Sequence, residues 1–564
     1  MSFPSVRVAG LERGPVAVVV IGGAPVLVAL SARTPWWVGA VTLTVALVAV
    51  TVQVNNRTAA RWLIDWSVYR FGRTARARAR ANLPNVLDVE VAAGVCGVSE
   101  AGSVLVAMIQ LAPDLDLPTV IAEQTVYTED TVPIHLLIPM LDQYGIAVDI
   151  DIVTTGQRVR PSGSYSMLYD QLIGSHPVVG NRLTWLVVRL DQERNLAALA
   201  KRGPCSVVAP KALASAAHRI AGRLREHGLA AHALPAAALR DATRLLHAGI
   251  ELSDLRETWS SLESSVPGRS VTSFLIDWTR LDGAGLDDCW AWRRGRTTLV
   301  ISLTDTATGP RALVRYVGPA ATTSPPEYLR LLTGRQTEAL LASLPAALSA
   351  HALPGESART ELAPEELADL AIAIGPNGQI LGAISGQQRH TLALPLFDPA
   401  RYNPRRRTID VHANLPVAQQ IVLRAMVVGA DVEVHTTRPH RWRQLVAEVG
   451  DPTSLRLAPE RGAADSDAAP ATMAVFDQVP PRASAAHTTV TISDPGGPRR
   501  RSADLAINQV SATVVDVSIP MRTVRVDLIE PRGETRYFDA DEAGPAPASA
   551  NGSAVAPPGG RRAG

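Results

Sequence analysis

Four glycines at 375, 378, 382 and 386 invite a phosphate-loop reading. Such a loop needs a lysine after its glycines to reach the terminal phosphates, and lysine occurs in this chain only at Lys201 and Lys211. Nor does the segment run strand, Gly-x-Gly-x-x-Gly, helix, as a dinucleotide site must; it reads as a turn between short strands. Arg405, Arg406 and Arg407, ahead of Ile409-Asp410-Val411-His412, could grip a phosphate with forked guanidinium groups, with a solvated loop as the alternative. Asp282, Asp287, Asp288 and Asp305 could bring carboxylates to a metal, but Asp is also a turn residue. The histidines fall in no HxxxH or HExxH pattern, which leaves zinc hydrolase chemistry without support. No GxSxG occurs, so a hydrolase nucleophile elbow is missing. Cys96, Cys205 and Cys289 are too far apart for a metal motif and too few for a disulfide framework; they fit a reducing compartment. The sequence thus offers no catalytic, cofactor-binding or metal-binding residue.

The elements that hold these residues begin at the N-terminus with two uncharged apolar stretches. One runs from 14 to 32 and the other from 34 to 56, with Arg33 between them. About 20 helical residues cross a hydrocarbon core of about 30 Å, so the pair reads as a transmembrane hairpin. Between 57 and 80 the chain carries arginines at 57, 61, 70, 73, 76, 78 and 80 against one acid, Asp65. Arginine excess near spans stays cytoplasmic, so both termini and the large domain are expected inside a cell membrane crossed twice. Trp36 and Trp37 suit the outer interface. Trp62, Trp66 and Tyr69 fall at i, i+4 and i+7, one aromatic stripe on a helix; with Arg73 and Arg76 they suit the inner headgroup layer, and packing on the chain's own domain is the alternative. The net charge of +2 argues against a general polyanion binder, so no nucleic-acid partner is expected.

Beyond a short N-terminal segment (1–13), the hairpin (14–56) and an Arg-rich juxtamembrane segment (57–82), strands and helices alternate. The pattern predicts cytoplasmic α/β or α+β domains. Strands are expected at 86–98, 102–111, 147–153, 182–191, 271–277, 297–304 and 311–317. Helices are expected at 130–144, 210–226 and 236–246. The nearly continuous apolar run RLTWLVVRLD at 182–191 predicts a central strand with Trp185 buried and Arg182 and Arg189 emerging at its ends. Pro325-Pro326 marks a link, dividing a first domain (83–322) from a second unit (323–540). That unit is expected to hold a helix at 335–344, a hairpin of 370–374 with 379–384 about Asn377-Gly378, and a strand–helix–strand over 408–412, 417–428 and 432–436. Strands at 488–492, 511–517 and 522–529 follow. From 541 to 564 the chain is almost all Ala, Pro, Gly and Ser, a disordered tail.

Three features taken together resemble the EccE family, membrane components of actinobacterial type VII (ESX) secretion systems. They are the two-span hairpin with its arginine-rich exit; Tyr169-Asp170-Gln171-Leu172-Ile173-Gly174 followed by 181–191; and Lys201-Arg202-Gly203 leading into an Ala-rich helix. The resemblance covers about residues 14–250, with the 408–450 unit fitting longer members. It implies a non-enzymatic structural subunit of an inner-membrane complex, with EccB, EccC, EccD and the mycosin protease as partners and no cofactor. The rival reading is a membrane-anchored enzyme or ligand sensor acting on a nucleotide or sugar-phosphate at the cytoplasmic face.

Overall fold

A computed structural model describes residues 84–538 apart from 124, 162, 282–284, 293–294, 306–308, 322, 354–369, 459–469 and 498–501, together with 6–8, 52–54, 57–58, 66–67, 69–72 and 77. Two twelve-stranded sheets carry the fold. The first is wholly antiparallel and centres on Asp149–Gln157, Asn181–Asp191 and Arg296–Leu303, with Val104–Leu111 beyond Asn181–Asp191. One of its faces packs on the helix Cys205–Glu226 through Leu213, Ala217, Ile220 and Leu224. The other packs on Ala236–Leu246 through Leu239, Ala242 and Leu246, and on Gln336–Ala342 through Ala339 and Leu340. Covered on both sides, its central strands lose the polar alternation that a half-exposed antiparallel strand shows.

Trp185 is buried as the sequence predicts. Arg182 and Arg189 do not emerge; both are buried. Arg189 pairs with Asp151 and donates to the carbonyls of Leu344 and Ala346, while Arg182 stacks over Trp290 at 5.2 Å. Arg315, also fully buried, meets no carboxylate among the described residues but donates to the Leu246 carbonyl and, at 2.8 Å, to Ser343 Oγ. Leu246 and Ser343 sit at the C-terminal ends of two helices, whose partial negative charge favours a cation there.

The second sheet is mixed. Leu455–Leu457, Val432–Thr436, Met473–Asp477, Thr488–Ser493, Arg407–His412 and Leu505–Ser511 run parallel in that order. Antiparallel strands complete it, from Val514–Ile519 across to Val126–Tyr127. The helix Leu415–Val427, begun by Asn414 as cap with Pro416 in its first turn and stopped before Gly429 at φ +126°, is buried all round in this core.

Sheet membership moves the boundary expected at 323. Leu329–Leu331 joins the first sheet, and Thr119–Ile121 and Val126–Tyr127 join the second. The helix Ser164–Ile173 packs in the second core through Tyr165, Tyr169 and Ile173. Other expectations also shift. Residues 130–144 form the strand Thr131–Pro133 and two 3-10 turns rather than a helix, because Pro133 and Pro139 each remove a backbone donor. Ala371–Ala373 pairs with Thr131–Pro133, and Gln379–Ile384 pairs with Gln387–Leu394, so the Asn377-Gly378 hairpin does not form. The run 511–517 straddles a turn between Leu505–Ser511 and Val514–Ile519.

The expected hairpin lies almost wholly outside the described residues. Among those described, no helix is long and apolar enough to cross a membrane. Val52–Val54, inside the expected second span, is extended instead, pairing with Val6–Val8 on one side and Arg57–Thr58 on the other. Its alternation of β-branched valine with glutamine favours a strand. The pairing sets Val8 opposite Val52, so the chain between them leaves and returns at one place.

Truncating Trp185 to Ala should cost about 3–5 kcal/mol by leaving a cavity between sheet and helix, measured by urea unfolding of the whole chain. A loss below about 1 kcal/mol, the scale of an exposed substitution, would contradict its central packing.

Candidate functional site

The carboxyl ends of parallel strands are where open α/β sheets place their ligands. Here those ends carry His412, Thr436, Asp477 and Ser493. Asp410 and His412 share one face of their strand, and Ser493 is the ladder partner of His412. Ser493 Oγ lies 2.8 Å from His412 Nδ1, and His412 Nε2 lies 2.8 Å from Asp410 Oδ2. Asp410 and His412 are buried, and Ser493 is half-buried. A hydroxyl, imidazole and carboxylate in series is how many hydrolases activate a serine. Such chemistry also needs N–H donors free to hold an oxyanion. Around Ser493 the amides of Ala413, Asn414 and Gly497 are committed to Ser493 O, Gln509 Oε1 and Asp494 O. The relay therefore ties two strand ends together and has no oxyanion cradle among these amides.

Next to it, Asp477 receives Arg438 Nη2 at 2.8 Å, Trp442 Nε1 at 2.9 Å and Thr436 Oγ1 at 2.7 Å. Burial pushes the Asp477 carboxyl up, but these hydrogen bonds outweigh it and hold the group below the usual carboxylate range. The cluster seats the helix His440–Val449 on the strand end.

The glycines and arginines singled out in the sequence are structural. A side chain at Gly378, where φ is +78°, would meet the Leu394–Pro395 backbone, and one at Gly382 would meet Asp527 O. Arg405 pairs with Asp114 and Asp116, and Arg407 with Asp116 and the carbonyls of Leu115 and Pro395. These arginines tie the 114–116 loop to the mixed sheet. Asp287 lies 3.8 Å from Arg182, Asp305 pairs with Arg194, and Asp282 is outside the described residues. Among the described residues no group of three His, Cys, Asp or Glu is placed to hold a metal. A cavity of about 190 Å³ opens between Ala236–Leu246 and the first sheet, walled mainly by Leu183, Trp185, Ala238, Ala242 and Leu245. Its carboxylate, Asp241, is exposed and paired with Arg244.

Of the expected interface residues, Trp36, Trp37, Trp62, Arg73 and Arg76 lie outside the described residues. Residues 66, 67 and 69–71 are helical, with Trp66 and Phe71 exposed. Tyr69 turns toward the body: its ring meets Trp259 edge-on at 5.3 Å and its hydroxyl donates to Glu257 O. Trp259 is wedged from behind by Gly334, where a Cβ would come within 2.6 Å of its ring. Sequence spacing reveals the Tyr69 stripe but gives no sign that its partner lies near 259.

The EccE family model, a type VII ESX secretion system translocon description, matches residues 178–276. That stretch contains the central strand Asn181–Asp191 and both helices packed on its two faces. The matched model and the relatives support an EccE-family, type VII secretion protein. It is 26% identical over 432 residues to the ESX-1 secretion system protein EccE1 of Mycobacterium tuberculosis, covering 76% of this chain and 83% of that one. It is 26% identical over 380 residues to the ESX-2 protein EccE2 of the same species, covering 67% of each. It is 30% identical over 255 residues to the ESX-5 protein EccE5 of Mycobacterium marinum, covering 42% of this chain and 60% of that relative. These matches bear out the resemblance read from the sequence.

Replacing Asp477 with Asn should lower stability by about 1–3 kcal/mol at pH 7, the scale of hydrogen bonds to a charged group. Because the carboxyl is held low in the fold, its contribution is present above the ordinary carboxylate pKa of about 4 and is lost as pH falls below it. Unfolding curves of variant and wild type should converge as pH falls below about 4; an equal gap at pH 3 and pH 7 would refute this role.

Proposed function

We propose that this chain is a non-enzymatic structural subunit of a type VII secretion complex, held in the cell membrane and stabilising the assembly by contact. The observation that carries the reading is the relatives' shared naming as ESX secretion system proteins, together with a body whose polar clusters are spent on internal joints. The segment between Val8 and Val52 crosses the bilayer twice, with both termini and the body on the cytoplasmic side. The ladder between Val6–Val8 and Val52–Val54 supports this by bringing the two ends of that segment together. Trp36 and Trp37 sit at the outer interface; Trp62, Trp66, Arg73 and Arg76 sit at the inner one. Tyr69 docks the juxtamembrane helix on the body instead of on lipid. EccB, EccC, EccD and the mycosin protease are the partners, and anchoring beside them raises the effective concentration of modest contact surfaces.

Deleting the gene should reduce both the recovery of the assembled complex and the export of its substrates. Restoring the chain with Ser493→Ala should return export to the wild-type level. Export abolished by Ser493→Ala while the complex keeps its composition would replace this reading with the enzyme alternative. For the topology, a cysteine at residue 33 should be labelled by an impermeant reagent from outside, and cysteines at 75 and 550 only after permeabilisation. External labelling at 550 would overturn the two-span arrangement.

A further inference from the structure

The short hairpin Asp142–Gln143 with Ile146–Ala147 turns through Tyr144 and Gly145. Both turn residues have positive φ, 57° and 74°. Asparagine or glycine fits the first position of such a turn; a bulky side chain there is strained. The ring nevertheless stands 81% exposed. Two cations hold it in place. Arg219, on Cys205–Glu226, lies 5.2 Å over the ring and donates to Gln143 Oε1, while Arg202 donates to Tyr144 O at 2.7 Å. Asn195 fixes the base of the hairpin through both backbone groups of Ala147. Beside Asn195, Leu196 is 56% exposed, and Val207 on the helix is 55% exposed.

Neither Arg202 nor Arg219 has a carboxylate partner among the described residues. Burial lowers the Arg219 pKa, and the nearby Arg202 lowers it further. Backbone strain retained at an exposed aromatic marks a site where the ring's placement matters. Tyrosine and arginine are also the side chains that anchor protein interfaces. The missing ingredient is negative charge.

We propose that Tyr144, Arg202, Arg219, Leu196 and Val207 form a docking surface for an acidic, apolar-containing segment of another polypeptide in the secretion assembly. This rests on the subunit reading above and adds the chemistry of the partner. Position favours a polypeptide over a lipid surface. The juxtamembrane helix docks at Trp259, beside the edge strand Arg256–Glu257. The Tyr144 surface belongs to the helix Cys205–Glu226, which packs on Val104–Leu111 and its neighbours, seven inter-strand steps along the same sheet. At about 4.8 Å per step, the patch stands far from the bilayer that the N-terminal helix borders.

The chain's lysine content supplies a test. Lys201 and Lys211 are its only lysines, and Lys201 is exposed next to Arg202. A carbodiimide joins a lysine amine directly to a carboxylate, forming an amide while the reagent takes up the water as a urea. In the complex purified from native membranes, the expected product is Lys201 linked to Asp or Glu of another subunit. The full-length variant Tyr144→Gly should unfold at the wild-type temperature or above it, since glycine suits φ +57°. It should recover at least fivefold less of the co-purifying subunits. Arg202→Glu with Arg219→Glu should lose at least tenfold. Wild-type chain recovered with no other subunit would fail the subunit reading itself. Variants that recover every subunit at wild-type yield would fail this surface alone. Loss of binding to phosphatidylglycerol vesicles with an unchanged complex would assign the patch to lipid and overturn the proposal.

Discussion

Arg160 is the joint on which the two halves of the molecule depend. The strand Asp149–Gln157 belongs to the middle of the first sheet, and three residues later its chain enters the core of the second. There the Arg160 guanidinium donates to the carbonyls of Met426, Gly429 and Ala430, to Ser454 Oγ and to Asp431. It closes the C-terminal end of Leu415–Val427, where unsatisfied carbonyls and the helix dipole both favour a cation. Arg158 does the same locally, donating to Gly174 O and His176 O beyond the helix Ser164–Ile173. From this joint outward, that helix must lie against Leu415–Val427, and the mixed sheet takes its orientation from it.

The same residue type recurs wherever buried backbone needs a donor. Arg315 serves two helix ends and Arg407 two loop carbonyls. Arg424 binds the carbonyls of Ile380, Leu381 and Ile529 together with Glu534, which Gln420 and the Tyr165 hydroxyl also reach. A flat guanidinium with five donors can satisfy several acceptors at once, which a lysine ammonium does less well. The sequence's arginine richness thus has a mechanical use inside this fold.

Periodicity made much of this architecture readable. Ala236–Leu246 and Val432–Thr436 fall where the pattern puts them, and Asn181–Asp191 declares a doubly covered strand by its unbroken apolar run. Pairing partners were less legible, because two strands carry no mark of each other across hundreds of residues. Ala371–Ala373 looked joined to its sequence neighbour and instead found Thr131–Pro133. Arg182 and Arg189 looked like strand-end charges, since nothing local announces Trp290 or Asp151. Proline outweighed apolar spacing at 130–144. The relay of Asp410, His412 and Ser493 was half visible as an i, i+2 pair, but its serine lies on a parallel strand 81 residues later.

Arg160 also has a consequence for synthesis. Its acceptor Asp431 lies 271 residues further along the chain. A ribosome adding about 5–20 residues per second leaves that interval open for roughly a quarter of a minute to a minute. During it Tyr165, Tyr169 and Ile173 face a core that has not yet been made. The nascent chain must carry an exposed apolar helix and an unspent guanidinium until its last third emerges, so whatever shields that surface during translation sets how much of the protein reaches its folded form.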